Sequence, residues 1–317
     1  MWKYITAFII IIFLIAFIIG SNGEEPYEEG HSIVGVAKAT QKNSDSSIAI
    51  SINDQKQDGH ISDTIGGGVW DVLMMETQTP HQLLTRIGYA TSYNKETKCP
   101  NWVAWHLTAE HTDGPFPRSG EPYFENGEAC GIGKVNLTIL KGDYFVDMEI
   151  EESRPDFEDW SEMPDGISHG HMCPAGDNKW SKAAMNQSFL LTNMCPQSEK
   201  LNGGGWKKLE DKCREWAIKN GDIYIVAGPI FYNGVRNSFG KNKIGIPDAF
   251  FKVVLCVNGT PKAIGFIYSN DESSQLMKNN VRSVDKVEDI AGMDFFYSLP
   301  NSIEDEIESK CNLNDWK

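Results

Sequence analysis

Residues 206–219 place Trp206, Leu209, Cys213, Trp216 and Ala217 at helical spacing, so one face of a helix is apolar. Asn220-Gly221 follows where a C-cap belongs, and the pattern predicts a helix that stops there. Three later runs, DIYIVAGPIF, AFFKVVLCV and KAIGFIYS, are short and rich in β-branched and aromatic residues, which predicts strands. Ahead of the helix, HQLLTRIGYATSYN and NWVAWHLTAE predict two more strands, joined by the polar turn KETKCP. Residues 183–193 predict a further helix, 110–142 a long Gly/Pro-rich connection, and the acidic stretch 302–317 a surface helix. Strands, then a helical middle, then strands again read as an α+β domain.

The hydropathy changes sharply at the N-terminus. Residues 5–20 form an apolar run of 16 residues, broken only by Thr6, with no polar face. A membrane span needs about 20 residues and a signal-peptide core about 7–15, so the run falls between them. The expectation is export, with residues 1–23 as a signal peptide, or with residues 5–20 retained as a membrane anchor. Residues 24–74 are polar and rich in Gly, Ser and Asp, as in a linker or loose arm, and the folded domain is expected over 75–317.

Composition alters this picture little. The chain has 317 residues, 40% apolar and 11% aromatic, enough for a sizeable core. Its net charge of −15 argues against a protein that coats nucleic acid through a global basic field, but leaves room for a local basic groove. Residues 200–219 carry six Lys/Arg against three Asp/Glu; residues 150–165 carry seven acidic residues against one Arg, which reads as a solvated loop. Seven cysteines leave at least one thiol free or paired between chains in an oxidising compartment.

The chemistry concentrates in residues 168–210, SHGHMCPAGDNKW followed by NMCPQSEKLNGGGWKKLE. An imidazole such as His171 is largely neutral near pH 7 and can accept a proton, or it can be a hydrogen-bonded structural histidine. Asn202 offers an amide oxygen suited to a hard, well-hydrated cation, and it also sits where a helix N-cap would. Glu210 and Arg214 are four residues apart, compatible with a surface ion pair or with a shared site. His169, His171 and Cys173 alternate, and on a strand they would present N and S ligands suited to zinc, although Gly170 and Pro174 speak against a regular strand there.

These motifs, in this order, resemble the DNA/RNA non-specific endonucleases, the ββα-metal nuclease family. YNKETKCPNWVAWHLT resembles the family's hairpin before the active site. SHGHMCPAGD occupies the place of its Asp-Arg-Gly-His signature, and NMCPQ, LNGGGW, KLEDKCREW, VAGPIF and IPDAFFKVV follow at its spacing. The resemblance implies a central, mostly antiparallel sheet flanked by helices. It implies His171 as general base, Asn202 as the protein ligand of Mg²⁺ (or Mn²⁺), and Glu210 orienting the ion's hydration shell. Arg214 and Arg118 would lie near the phosphate, with Asn193 supporting the site. The partners would be DNA and RNA backbones. Ser168 and His169 depart from the signature Asp and Arg. The second change removes a permanent cation, so an attenuated or acid-shifted enzyme, or a nucleic-acid-binding pseudo-nuclease, is also expected.

Overall fold

The computed structural model describes residues 76–77, 81–134, 144–150, 154–271 and 276–317. All of these fall within one compact unit. The apolar run at 5–20 and the arm at 24–74 lie outside the described residues. Among those described, no helix is long and apolar enough to cross a membrane.

Seven strands make one antiparallel sheet: β1 (Gln82–Thr85), β2 (Ala90–Asn94), β3 (Cys99–Leu107), β6 (Ile223–Ile230), β7 (Ala249–Cys256), β8 (Lys262–Ser269) and β9 (Val281–Arg282), where β4 (Ile167–His171) and β5 (Met194–Ser198) pair apart from it. The spatial order is β9-β8-β7-β6-β3-β2-β1, every neighbouring pair antiparallel. The three later strands run where the apolar runs predicted them. They are buried on both faces, which is why they read as nearly continuous apolar runs. Phe250 and Val254 of β7 enter one core, while Phe251, Val253 and Leu255 enter the other.

The first predicted strand is instead the β1–β2 hairpin. The Arg86 amide donates to the Tyr89 carbonyl at 2.7 Å to close the turn. Gly88 is required there, because a Cβ would lie 2.1 Å from Asn178 Oδ1. The predicted helix at 183–193 is shorter than its pattern: α1 (Lys182–Ser188) starts on the Ser181 cap and stops, and a separate 3₁₀ turn follows at Leu191–Asn193. The acidic run at 150–165 is not simply a solvated loop. It contains a short helix, Phe157–Ser161, whose Asp159 is fully buried and accepts from the Asn242 side chain at 2.7 Å.

The main helix, α2 (Lys207–Asn220), buries Leu209, Cys213, Trp216 and Ala217 against the sheet, as the periodicity demanded, and Gly221 terminates it with φ 92°. A wide π turn, Asn202–Trp206, leads into it through the three glycines. On the opposite face of the sheet lie α3 (Val284–Ala291) and α4 (Asn301–Glu308). The α4 helix is less of a surface element than its acidic sequence suggests, because Ile307 and Glu308 are buried and Trp316 beyond it is 2% exposed. All seven cysteines are unpaired; five are buried and Cys311 is exposed.

Candidate active site

β4 and β5 form a two-stranded ribbon that pairs His171 with Met194 and Ser168 with Gln197. The strand forms despite Gly170. Indeed the glycine is needed, since a Cβ there would sit 2.6 Å from Gln197. The chain then turns through residues 199–206 into α2, which gives a strand–strand–helix unit. Between this unit and the loop carrying Arg118 lies an open cleft of ≈ 450 Å³. It is lined by Arg118, Ser168, His169, His171, Asn202, Glu210 and Arg214, with Lys179 and Lys207 adding positive charge. Glu199 lines it as well, so four basic residues face two acidic ones, and the cleft is more basic than the acidic protein as a whole.

The structure brings six of the seven predicted site residues to this cleft; Asn193 lies behind it. Asn193 is fully buried and clamps the chain just beyond His171. Its Oδ1 accepts from the Cys173 amide at 3.0 Å, while its Nδ2 donates to the Cys173 and Ser188 carbonyls at 2.8 Å each. Its side chain thus braces the chain beyond β4 and stays out of the cleft.

Asn202 is oriented by β4. Its Nδ2 donates to Ser168 Oγ at 3.0 Å and to the His169 carbonyl at 3.3 Å. A carbonyl only accepts, so this contact decides which end of the amide is nitrogen. The Ser168 hydroxyl in turn donates to the Gln197 carbonyl at 3.0 Å. With the nitrogen engaged, the amide oxygen is the atom left to meet a cation.

His171 lies half-buried at the ribbon's end. Burial, with repulsion from Arg118 and His169, pushes its pKa down to about 3, so the ring is neutral. Its Nε2 is buried and makes no hydrogen bond among the described residues. Phe189 meets the ring edge-on, and the Arg118 guanidinium lies 4.8 Å over Phe189.

His169 does not behave as a partly protonated substitute for arginine. It is sandwiched between Tyr144 and Trp160, each ring centroid 4.2 Å away and within 21° of parallel. Burial lowers its pKa to about 4, so it is neutral at pH 6 as at pH 8. The zinc reading fails on geometry. Cys173 lies past the strand end, fully buried, and its sulfur accepts from Asn178 Nδ2 at 3.3 Å. Among the described residues, the groups of three potential ligands that converge do not include His169, His171 and Cys173.

Arg214 lines the cleft, but its guanidinium is anchored to Asp177 at 2.8 Å and Asp211 at 2.6 Å. Asp177 also accepts from Trp105 Nε1 at 3.0 Å, which ties α2 to the sheet. Among the described residues no ion pair joins Glu210 to Arg214, so the simple surface pair is not formed. Burial raises the Glu210 carboxyl to about 7, with Lys252 opposing the rise. The sequence reading missed Lys252. It is fully buried on β7, with Nζ 4.4 Å from the Trp206 ring centroid and 5.3 Å from that of Trp105. A lysine inside the apolar run AFFKVVLCV was the available signal.

The oxygen donors Asn202 and Glu210 fit a hard divalent cation. Glu210 is a half-buried carboxylate without a hydrogen bond among the described residues, as expected for a group that faces a hydrated ion.

The model of the DNA/RNA non-specific endonuclease family matches residues 72–302. A nuclease of Nostoc sp. is 28% identical over 73% of this chain and 78% of its own. Nuclease C1 of Cunninghamella echinulata is 30% identical, over 70% of this chain and 85% of its own. The mitochondrial nuclease EXOG of Homo sapiens is 27% identical over 72% of this chain, which spans only 60% of that protein's length. Among solved structures, EndoG in its complex with EndoGI superposes with a TM-score of 0.57 at 20% identity, covering 78% of this chain and 95% of that one, a likeness of fold.

Proposed function

The chain belongs to the DNA/RNA non-specific endonuclease family, and from that premise we propose that it hydrolyses DNA and RNA phosphodiesters in the β4–β5–α2 cleft with Mg²⁺ as cofactor. One observation carries the reading: a neutral imidazole, His171, and an amide oxygen fixed in direction, Asn202, line the same basic cleft. Asn202 would hold the ion, with Glu210 beside it, and the ion would supply neutralising charge for the phosphate and the leaving oxygen.

The chain's own residues account for the remainder. His171 removes a proton from the attacking water as the new P–O bond forms. The bond to the 3′ oxygen breaks and that oxygen takes a proton from solvent water, leaving a 5′-phosphate and a 3′-hydroxyl. Arg118, Lys179 and Lys207 hold the phosphate backbone, which has the same chemistry in every sequence, so little base preference follows. Arg214 is held in a fixed orientation in the wall by Asp177 and Asp211, which offset its charge. Export rests on the apolar run at 5–20 and belongs to the same proposal.

Digestion of plasmid DNA and of RNA across a metal and pH series tests this. Cutting is expected with Mg²⁺, none in EDTA, and a loss of about 10²–10⁴-fold in His171→Ala, with Asn202→Ala also strongly impaired. Binding without cutting, at every metal and pH, would instead identify a pseudo-nuclease. The replacement of the signature arginine by a neutral, stacked His169 is the observation that favours that second reading.

A further inference from the structure

On the sheet face away from the cleft, α3 and α4 bring carboxylates together. Val284, Val287 and Ile307 turn inward to the core, which leaves Asp285 and Glu288 of α3 beside Glu308 of α4. The ligand oxygens of these three side chains all lie within 4.8 Å of one another. Clustering alone proves little, since acidic groups often gather on surfaces. Here, however, Glu308 is only 4% exposed, and its Oε1 is buried without a hydrogen-bond partner among the described residues. Glu304 Oε1, one turn earlier on α4, is buried and unpartnered in the same way.

The surroundings offer no compensating cation among the described residues. Lys286 pairs with Asp289 and Lys310 with Glu306, so the lysines on these segments turn elsewhere. Glu308 stands in the last turn of α4, the partially negative end, where an acid is disfavoured. Glu288 is held by the Phe295 amide, which donates to its Oε1 at 2.8 Å.

We propose that Asp285, Glu288 and Glu308 form a divalent-cation site, separate from the cleft, that takes Ca²⁺ and ties the C-terminal helix α4 to α3. Ca²⁺ binds hard oxygens at about 2.3–2.6 Å, so two ligands of one ion stand up to roughly 5 Å apart, in keeping with the spread here; Mg²⁺ demands a tighter shell. Asp285 is exposed, so solvent reaches the cluster on that side. The competing arrangement is a cluster held by protons: burial, then repulsion from Glu288 and Glu304, pushes Glu308 up to about 9, and burial raises Glu288 to about 7.

Equilibrium dialysis of the full chain against Ca²⁺ at pH 8, with thermal melts, decides between them. The expected result is about one Ca²⁺ per chain that persists in Asn202→Ala, where the cleft ligand is gone, and weakens at least tenfold in Glu308→Gln. Saturating Ca²⁺ should raise Tm by roughly 5–10 °C in the parent chain and not in that variant. Should Glu308→Gln fail to fold, Asp285→Asn, at an exposed position, must weaken Ca²⁺ at least tenfold while Mg²⁺-dependent cutting is unchanged. Calcium binding lost in Asn202→Ala but kept in Asp285→Asn overturns the proposal. So does a Tm that Ca²⁺ leaves unmoved while Glu308→Gln raises it in EDTA, which is the signature of shared protons.

Discussion

Asn202 donates a hydrogen bond from its side-chain amide to the Ser168 hydroxyl at 3.0 Å, and that hydroxyl in turn donates to the Gln197 carbonyl at 3.0 Å. The serine that departs from the signature Asp is therefore still an acceptor that aims the amide oxygen. Groups that orient a metal ligand typically matter 10–100-fold. Ser168→Ala should raise the Mg²⁺ concentration for half-maximal cutting by about tenfold or more and lower the saturated rate less. Ser168→Asp, which keeps an acceptor, should stay near the parent. An unchanged Mg²⁺ dependence in Ser168→Ala would remove this role.

The stacked His169 makes a sharp pH prediction. Its folded pKa of about 4 lies below the ordinary 6.5, so between pH 6 and 8 it carries no charge to lose. Restoring arginine places a permanent cation between Tyr144 and Trp160, where a guanidinium also stacks well. His169→Arg should raise the cutting rate by a similar factor, on the order of 10²-fold, at pH 6 and at pH 8. A gain confined to pH 8 would mean that the imidazole titrates near neutrality after all.

Lys252 lies behind the cleft with its ammonium over Trp206 and Trp105. Its charge opposes the burial that raises Glu210 to about 7. Lys252→Met removes the opposition, so the Glu210 pKa climbs and the pH needed to ionise it rises. The acid limb of the pH–rate profile should move to higher pH, with loss of activity greater at pH 6.5 than at pH 8.5. Lys252→Arg should restore the position of the limb. A Met variant with lower activity but an unmoved limb would reduce Lys252 to a packing role.

Asn193 satisfies three backbone groups while fully buried. Asn193→Ala leaves them unpaired, at about 1–3 kcal/mol for each buried group. Chemical denaturation should show a loss of about 3 kcal/mol or more, and the surviving folded fraction should cut slowly because Cys173, just past the end of β4, is no longer clamped. A stability change below about 0.5 kcal/mol, the scale of a neutral surface substitution, would contradict this.

Periodicity and punctuation were enough for the elements with one dominant signal. The face Leu209–Cys213–Trp216 and the stop at Gly221 gave α2 almost to the residue, and three apolar runs gave β6, β7 and β8. These properties are local: burial periodicity and backbone conformational limits act within a few residues. The pairing of His171 with Asn202 as partners in one site came instead from resemblance to the family, and the cleft both residues line is a tertiary feature.

Tertiary structure alone decided the remainder, because charge state and burial depend on neighbours far away in sequence. Nothing near His169 announces that Tyr144 and Trp160 will enclose it and strip its charge. Arg214 is anchored by Asp177, 37 residues distant, and Lys252 reaches its tryptophans from another strand. Asp285 and Glu308 meet only because two helices dock on the same sheet face. A sequence fixes which groups a chain owns; the folded environment sets which of them are charged, paired or free to act, since solvation and Coulomb forces act through space.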